Sequence, residues 1–78
     1  MSFPSRETVE RIRKQYPAGC RVELVQMNDA QAPPMGTRGT VIGVDDTASL
    51  LMKWDNGSGL NVICGVDVVR KVEESEVA

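Results

Sequence analysis

The chain has 78 residues, and its nine Lys and Arg against eleven Asp and Glu give a formal net charge of −2. A domain of this size buries about 60% of the surface that its unfolded chain exposes, so we expect a small core and no large internal cavity for a substrate. The balance of charges disfavours general nucleic-acid binding, which depends on neutralising phosphates. The sequence has no signal-like or membrane-spanning apolar run, so we expect a cytoplasmic protein with no membrane partner.

The residue types present exclude most catalytic chemistry. The chain has no histidine, which removes the Ser-His-Asp and Cys-His arrangements and the commonest zinc ligand. Cys20 and Cys64 are too few for a zinc site with four protein ligands, and in the cytoplasm we expect reduced thiols that act as small apolar side chains. Asp45 and Asp46 lack the spacing of a calcium loop and are more typical of a solvated turn. We therefore expect a protein that is not an enzyme and that has no catalytic residue, no cofactor and no metal.

Residues 1–17 are predicted to form an N-terminal amphipathic helical arm. Ser5 is a favourable N-cap, and Val9, Ile12 and Tyr16 follow at spacings of three and four. A Pro-Ala-Gly sequence then ends the helix. An isolated helix of this length is marginal in water, so its apolar face must dock on another surface. The rest of the chain is the favoured platform, and a partner is the alternative.

Residues 18–72 are predicted to form a small five-stranded SH3-like barrel, which makes the fold mainly β. The hydrophobic period changes to two after residue 20, as expected for half-buried strands. An Asn-Gly sequence at 56–57 predicts a tight hairpin, and a Pro- and Gly-containing stretch predicts a long loop over 27–36. The predicted strands are 21–26, 39–44, 49–54, 60–63 and 68–72. Residues 73–78 are expected to be a frayed acidic tail.

Several spaced motifs resemble a known family. They are PMGTRGTV at 34–41, VDD at 44–46 and MKWDNGS at 52–58, with YPAG at 16–19 before them and GVD at 65–67 after them. Together they resemble the bacterial and phage proteins grouped as domain of unknown function 4314, over about residues 7–72. That family has no assigned activity, so the resemblance implies a fold and leaves the function open.

A weaker likeness runs to the SH3-like repeats of the Mind bomb ubiquitin ligases. The shared features are a Gly-Thr-Val strand, a Trp-Asp-Asn-Gly-Ser hairpin and a later glycine near an aspartate. Those repeats are protein-binding modules, so the likeness implies a protein partner. At Cys64 the chain differs, because the repeats tend to carry a basic or polar residue near that glycine.

Two segments supply the candidate partner-binding residues. These candidates are Pro33, Pro34, Met35, Trp54, Asp55 and Asn56. In the loop, the two prolines stiffen the chain and Met35 offers an adaptable apolar contact; the alternative is that the loop covers one end of the barrel. Trp54 is a candidate hot spot, or else it packs across the hairpin or under the helix. The following Asp-Asn pair is a candidate binding tip, or else only a turn.

The resulting functional hypothesis is a non-catalytic protein-interaction or assembly module with an unidentified protein partner. The alternative is a nucleic-acid-associated accessory domain, in which Arg11 and Arg13 on the helix contact phosphates. A homodimer is a further option, formed through an exposed edge strand or the apolar face of the helix. The three aromatic residues are too few for an aromatic groove that binds proline-rich peptides.

Overall fold

The computed structural model describes residues 4–73, which form one helix and one five-stranded sheet. The elements are α1 (Arg6–Gln15), β1 (Arg21–Gln26), β2 (Arg38–Val44), β3 (Ser49–Trp54), β4 (Val62–Ile63) and β5 (Val68–Lys71). All strand pairs are antiparallel, and the order across the sheet is β4-β3-β2-β1-β5. The predicted class, mainly β with a short N-terminal helix, is confirmed. The predicted tail 73–78 lies outside the described residues except for its first residue.

The sheet is open, so the predicted barrel is not confirmed. Within residues 4–73, β4 and β5 form the two edges of the hydrogen-bonded ladder. Two register shifts interrupt it, one at Val25 in β1 and one at Ile42 in β2. Bulges of this kind bend a strand and increase its twist. They give the sheet local curvature without joining its edges by a ladder.

The fourth strand is shorter than predicted. It begins at Val62 instead of residue 60, because side chains replace part of the backbone ladder before it. The Oδ1 atom of Asn61 accepts a hydrogen bond from the Met52 backbone N–H at 3.2 Å. The Leu60 carbonyl accepts one from the Trp54 indole at 2.8 Å. The Met52 N–H and the Leu60 carbonyl therefore both have hydrogen-bond partners, although residues 60 and 61 are not part of the strand.

The helix docks on the sheet of its own chain. The Ser5 Oγ accepts a hydrogen bond from the Thr8 backbone N–H at 3.1 Å and caps the first turn. Val9 and Ile12 are buried in the core. The Arg13 guanidinium donates two hydrogen bonds to the carbonyl of Val44, at the end of β2, and the shorter of the two is 3.0 Å. The favoured alternative for the helix, docking on the rest of the chain, is what the structure shows.

The core lies between α1 and one face of the sheet, and the alternation of β1, β2 and β3 supplies most of it. Within residues 4–73, eleven apolar side chains are buried: Val9, Ile12, Val22, Leu24, Val41, Val44, Ala48, Leu50, Met52, Trp54 and Val62. The opposite face carries the charged residues of the same strands. This division follows from the two-residue period of a strand.

Candidate functional site

The structure places Trp54 in the core. Its side chain is 1% exposed, and its indole N–H donates to the Leu60 carbonyl at 2.8 Å. The indole also lies against Gly39 on β2, where no side chain intervenes. A residue with so little accessible surface has no indole face to offer a partner, so Trp54 holds the hairpin and the sheet together.

Asp55 and Asn56 form the hairpin and fix its position. Both carboxylate oxygens of Asp55 accept hydrogen bonds from the guanidinium of Arg21 on β1, at 2.8 and 2.5 Å. These bonds hold the pKa of the Asp55 carboxyl below its ordinary value. Asn56 accepts from the Ser58 backbone N–H at 3.0 Å, and Gly57 adopts the positive φ of 95° that the turn requires. Structural roles therefore account for these polar groups.

The other three candidates lie in the loop between β1 and β2, and they differ in their exposure to solvent. Pro33 is buried, whereas Pro34 and Met35 are exposed. Met35 is 75% exposed, the largest value among the large apolar residues of the described chain. The loop closes when the Gly36 N–H donates to the Leu24 carbonyl at 2.8 Å. Of the predicted apolar candidates, Met35 keeps the most accessible surface.

A second exposed apolar surface, which the sequence analysis missed, lies where β4 leads into β5. Ile63, Val66 and Val68 are 50%, 68% and 45% exposed, and we name these three residues the apolar edge. The available signal was a valine inside the polar turn Gly-Val-Asp at 65–67, where an apolar residue is not required by turn chemistry. Three of the six residues 63–68 are apolar and exposed, in contrast to the scattered single residues that are normal on a surface.

The turn that carries the apolar edge is held in one conformation by three hydrogen bonds. The Ile63 carbonyl accepts from the backbone N–H groups of Val66 and Asp67, at 3.0 and 2.8 Å. The Asp67 carboxylate in return accepts from the Ile63 N–H at 2.9 Å. Gly65 supplies the positive φ of 95°. The position of Val66 is therefore fixed by backbone bonding on both sides of it.

A groove of about 320 Å³ runs between this turn and α1, and we name it the helix–turn groove. Its helix wall includes Arg11, Ile12 and Tyr16, and its turn wall includes Cys64, Asp67 and Val68. Val68 belongs to both the groove and the apolar edge. A larger depression of about 720 Å³ lies at the start of α1, and most of its lining side chains are charged.

The thiol that lines the helix–turn groove has a raised pKa. Burial raises the pKa of the Cys64 thiol above its ordinary value, and the neighbouring Asp67 carboxylate raises it further. Burial also raises the pKa of Cys20, where the charge of Lys71 opposes the effect. Since the thiolate is the nucleophilic form, thiols with raised pKa values are poor nucleophiles at neutral pH. The groove thus offers apolar contact and little thiol chemistry.

The Asp45 carboxylate accepts hydrogen bonds from residues of its own turn. One oxygen of Asp45 accepts from the Thr47 backbone N–H, the Thr47 hydroxyl and the Ser49 N–H, at 2.9, 2.7 and 3.0 Å. These bonds lower the pKa of the carboxyl below its ordinary value. Across residues 4–73, no group of three or more His, Cys, Asp or Glu is placed to hold a metal ion.

The outer face of the sheet collects cations from four strands. The strand register places Glu23 opposite both Arg38 and Arg70, and its carboxylate lies 3.4 and 2.9 Å from those guanidinium groups. The same register places Thr40 between Arg21 and Lys53. We name this surface the basic face; its residues are Arg21, Glu23, Arg38, Lys53, Asp55 and Arg70. Its four cations against two carboxylates contrast with the net negative charge of the chain.

These features define a small β-sheet domain whose described surface carries an apolar groove and a basic face. The family model described as Domain of unknown function (DUF4314) matches residues 5–72, so the chain belongs to that family, as its motifs predicted. No curated protein and no solved structure matches the chain. Among the described residues, no helix has the length and apolar character needed to cross a membrane.

Proposed function

We propose that this domain is a non-catalytic protein-interaction or assembly module whose partner contacts the apolar edge and the helix–turn groove. The observation that carries the proposal is the group of three exposed apolar residues in this segment, Ile63, Val66 and Val68, of which Val68 also lines the groove. Large exposed apolar patches are typical of interaction sites on small proteins. The hydrogen-bonded turn adds preorganisation, which lowers the entropic cost of binding.

The strand order supports an SH3-like arrangement for this module. A meander of four strands with the fifth returning beside the first is the order that a rolled SH3-like sheet requires, and the bulges at Val25 and Ile42 supply curvature. The turn at 64–67 joins the end of β4 to the start of β5, and Cys64 and Asp67 form an isolated bridge within it. In this proposal the sheet is the scaffold and the turn presents the binding surface.

The lack of reactive groups supports a role in binding over a role in catalysis. The chain has no histidine for general acid–base chemistry. The Cys64 thiol lines the groove, but its raised pKa opposes thiolate formation.

The test is affinity capture of partner proteins with the wild-type chain as bait, together with two matched variants. Val66→Asp introduces a charge into the apolar edge, and Met35→Asp introduces the same charge at a strongly exposed apolar residue of the loop between β1 and β2. Both sites are exposed, so the folded state should tolerate both changes, which circular dichroism checks. We expect Val66→Asp to lose a protein that wild type and Met35→Asp retain after nuclease treatment. Loss only with Met35→Asp would move the site to the predicted loop.

The basic face favours a second candidate function, association with a nucleic acid through its phosphates. Cross-strand registers gather Arg21, Arg38, Lys53 and Arg70 on one surface, although they are far apart in the sequence. Lys53→Glu should weaken binding of a nucleic-acid probe. It should also make the slope of log binding constant against log salt concentration shallower, by about one phosphate contact. Lys14→Glu makes the same change on the helix and is the control. Equal effects of both variants would point to net charge, without a role for the basic face.

A further inference from the structure

We propose that the basic face is covered within the same chain by residues 73–76, which compete there with anionic ligands. We name these residues the acidic segment; they read Glu-Glu-Ser-Glu, and residues 73–78 contain no Lys or Arg. The acidic segment follows directly on β5, so its covalent link gives it a high effective concentration at the face. This contact is separate from the binding surface proposed at the apolar edge.

The basic face has an excess of positive charge that favours an anion. Its four cations outnumber the carboxylates of Glu23 and Asp55 by two. Lys53 is exposed, and among residues 4–73 no carboxylate lies within salt-bridge distance of its ammonium group. Like charges gathered on one surface repel one another, so additional carboxylates stabilise this face, most of all beside Lys53.

The strand register brings the start of the acidic segment to one end of a row of these residues. The Val72 N–H, just after β5, donates to the Arg21 carbonyl on β1 at 3.0 Å. Arg21 lies opposite Thr40 on β2, and Thr40 lies opposite Lys53 on β3. A segment that continues from Val72 across this row therefore passes Arg21 first and reaches Lys53 last.

The length of the acidic segment fits the width of this row. Neighbouring strands lie about 4.8 Å apart, so three strand spacings separate Val72 from Lys53 by about 14 Å. Four extended residues span at most about 13–14 Å, and the side chains of Glu76 and Lys53 supply the remaining reach. An extended crossing thus brings Glu74 near Arg21 and Glu76 near Lys53.

The first test is carbodiimide cross-linking of the full chain, since this reagent joins a carboxylate directly to an amine. In an equal mixture of unlabelled and ¹⁵N-labelled chains, mass spectrometry should find Lys53 joined to Glu74 or Glu76 of the same copy. The double variant Glu74→Gln with Glu76→Gln should lose this cross-link. Added salt should reduce its yield in the wild type, because the contact lies at the surface and is screened.

The second test follows the same double variant by NMR and by binding of a short duplex DNA. The amide resonances of Arg21 and Lys53 should shift, and DNA should bind at least about threefold more tightly at low salt, because its phosphates no longer compete with the two carboxylates. The matched control is Glu7→Gln with Glu10→Gln, which removes two charges from exposed positions of α1 and should change neither readout.

A cross-link within one copy, together with shifted resonances on the basic face, establishes the contact. Unchanged resonances overturn it, as does the lack of any cross-link from Lys53 to the acidic segment. A cross-link found only between labelled and unlabelled copies also overturns it, because the occupant then belongs to a second chain. Equal effects of the control variant on both readouts would assign them to net charge. DNA that binds wild type and variant equally, or binds neither, rejects the competition with anionic ligands.

Discussion

Replacing Gly39 by alanine would place a methyl carbon where the Trp54 indole already lies. The added Cβ would stand 2.7 Å from Cε3 of Trp54 and 3.0 Å from the Lys53 carbonyl oxygen. Carbon atoms in contact prefer about 3.5–4.0 Å, so the overlap with the indole is about 1 Å. Neither neighbour moves easily, since the indole is buried and hydrogen-bonded and the carbonyl belongs to the backbone of β3.

The expected cost follows from the comparison with a second glycine on the same strand. Overpacking a core typically costs about 1–3 kcal/mol. Any glycine-to-alanine change also stabilises by about 0.4–1 kcal/mol through the unfolded chain, which would obscure the cost in a single variant. Gly43→Ala is the matched control, because its Cβ meets nothing within 4 Å. The difference between the two variants isolates the contact with the indole.

Urea unfolding followed by Trp54 fluorescence measures both variants. Gly39→Ala should be less stable than Gly43→Ala by about 1–3 kcal/mol, with a melting temperature lower by about 4–8 °C for each kcal/mol. The double variant Gly39→Ala with Trp54→Phe tests the cause, since a smaller ring should relieve part of the penalty. Because this variant has no tryptophan, its unfolding is followed by circular dichroism and compared with that of Trp54→Phe alone. Equal stabilities of Gly39→Ala and Gly43→Ala would refute the placement of the indole over β2.

Three further predictions concern charged and reactive side chains. Asp55→Asn should destabilise the chain at neutral pH by about 0.2–1 kcal/mol, the range for an exposed ion pair. Because the folded-state pKa of Asp55 is lowered, this stabilisation is present above the unfolded-state pKa and disappears as the pH falls through the folded-state pKa. The urea midpoints of variant and wild type should therefore converge in acid. Alkylation of Cys64 by iodoacetamide, followed by mass spectrometry, should be slower in the folded chain than in urea at the same pH, and equal rates would contradict the raised pKa. Arg13→Ala removes the hydrogen bonds to the Val44 carbonyl and should loosen α1, seen as faster amide exchange in the helix, while Lys14→Ala should not; equal exchange in both variants would mean that the guanidinium does not anchor the helix.

Local sequence patterns predicted a helix or strand best where one face of the element is buried and the other is exposed to solvent. The bounds of β1 and β3 agree with the alternation of apolar and polar residues, and Ser5 caps the helix as its type suggested. Gly57 has the positive φ that the predicted turn needs, and the Asn56 side chain accepts the Ser58 N–H within it. These features depend on neighbours within a few positions, which a single sequence contains.

Features that depend on long-range strand pairing could not be predicted from local sequence patterns. Whether the sheet closes depends on the bulges at Val25 and Ile42 and on the edge strands, and no local pattern fixes those. Trp54 illustrates the difficulty for sites: a tryptophan before a turn suits both a hot spot and a core anchor, and its 1% exposure shows that it lies in the core. The basic face likewise appears only once the register is known.

The two candidate surfaces differ in physics, so the salt dependence of binding separates them before any partner is identified. Binding at the apolar edge removes nonpolar area from water, and excluded salts such as sulfate strengthen that effect. Binding of phosphates at the basic face releases counterions and weakens steeply as salt is added. Binding that persists in high sulfate would therefore assign the contact to the apolar edge, and binding lost in moderate salt would assign it to the basic face.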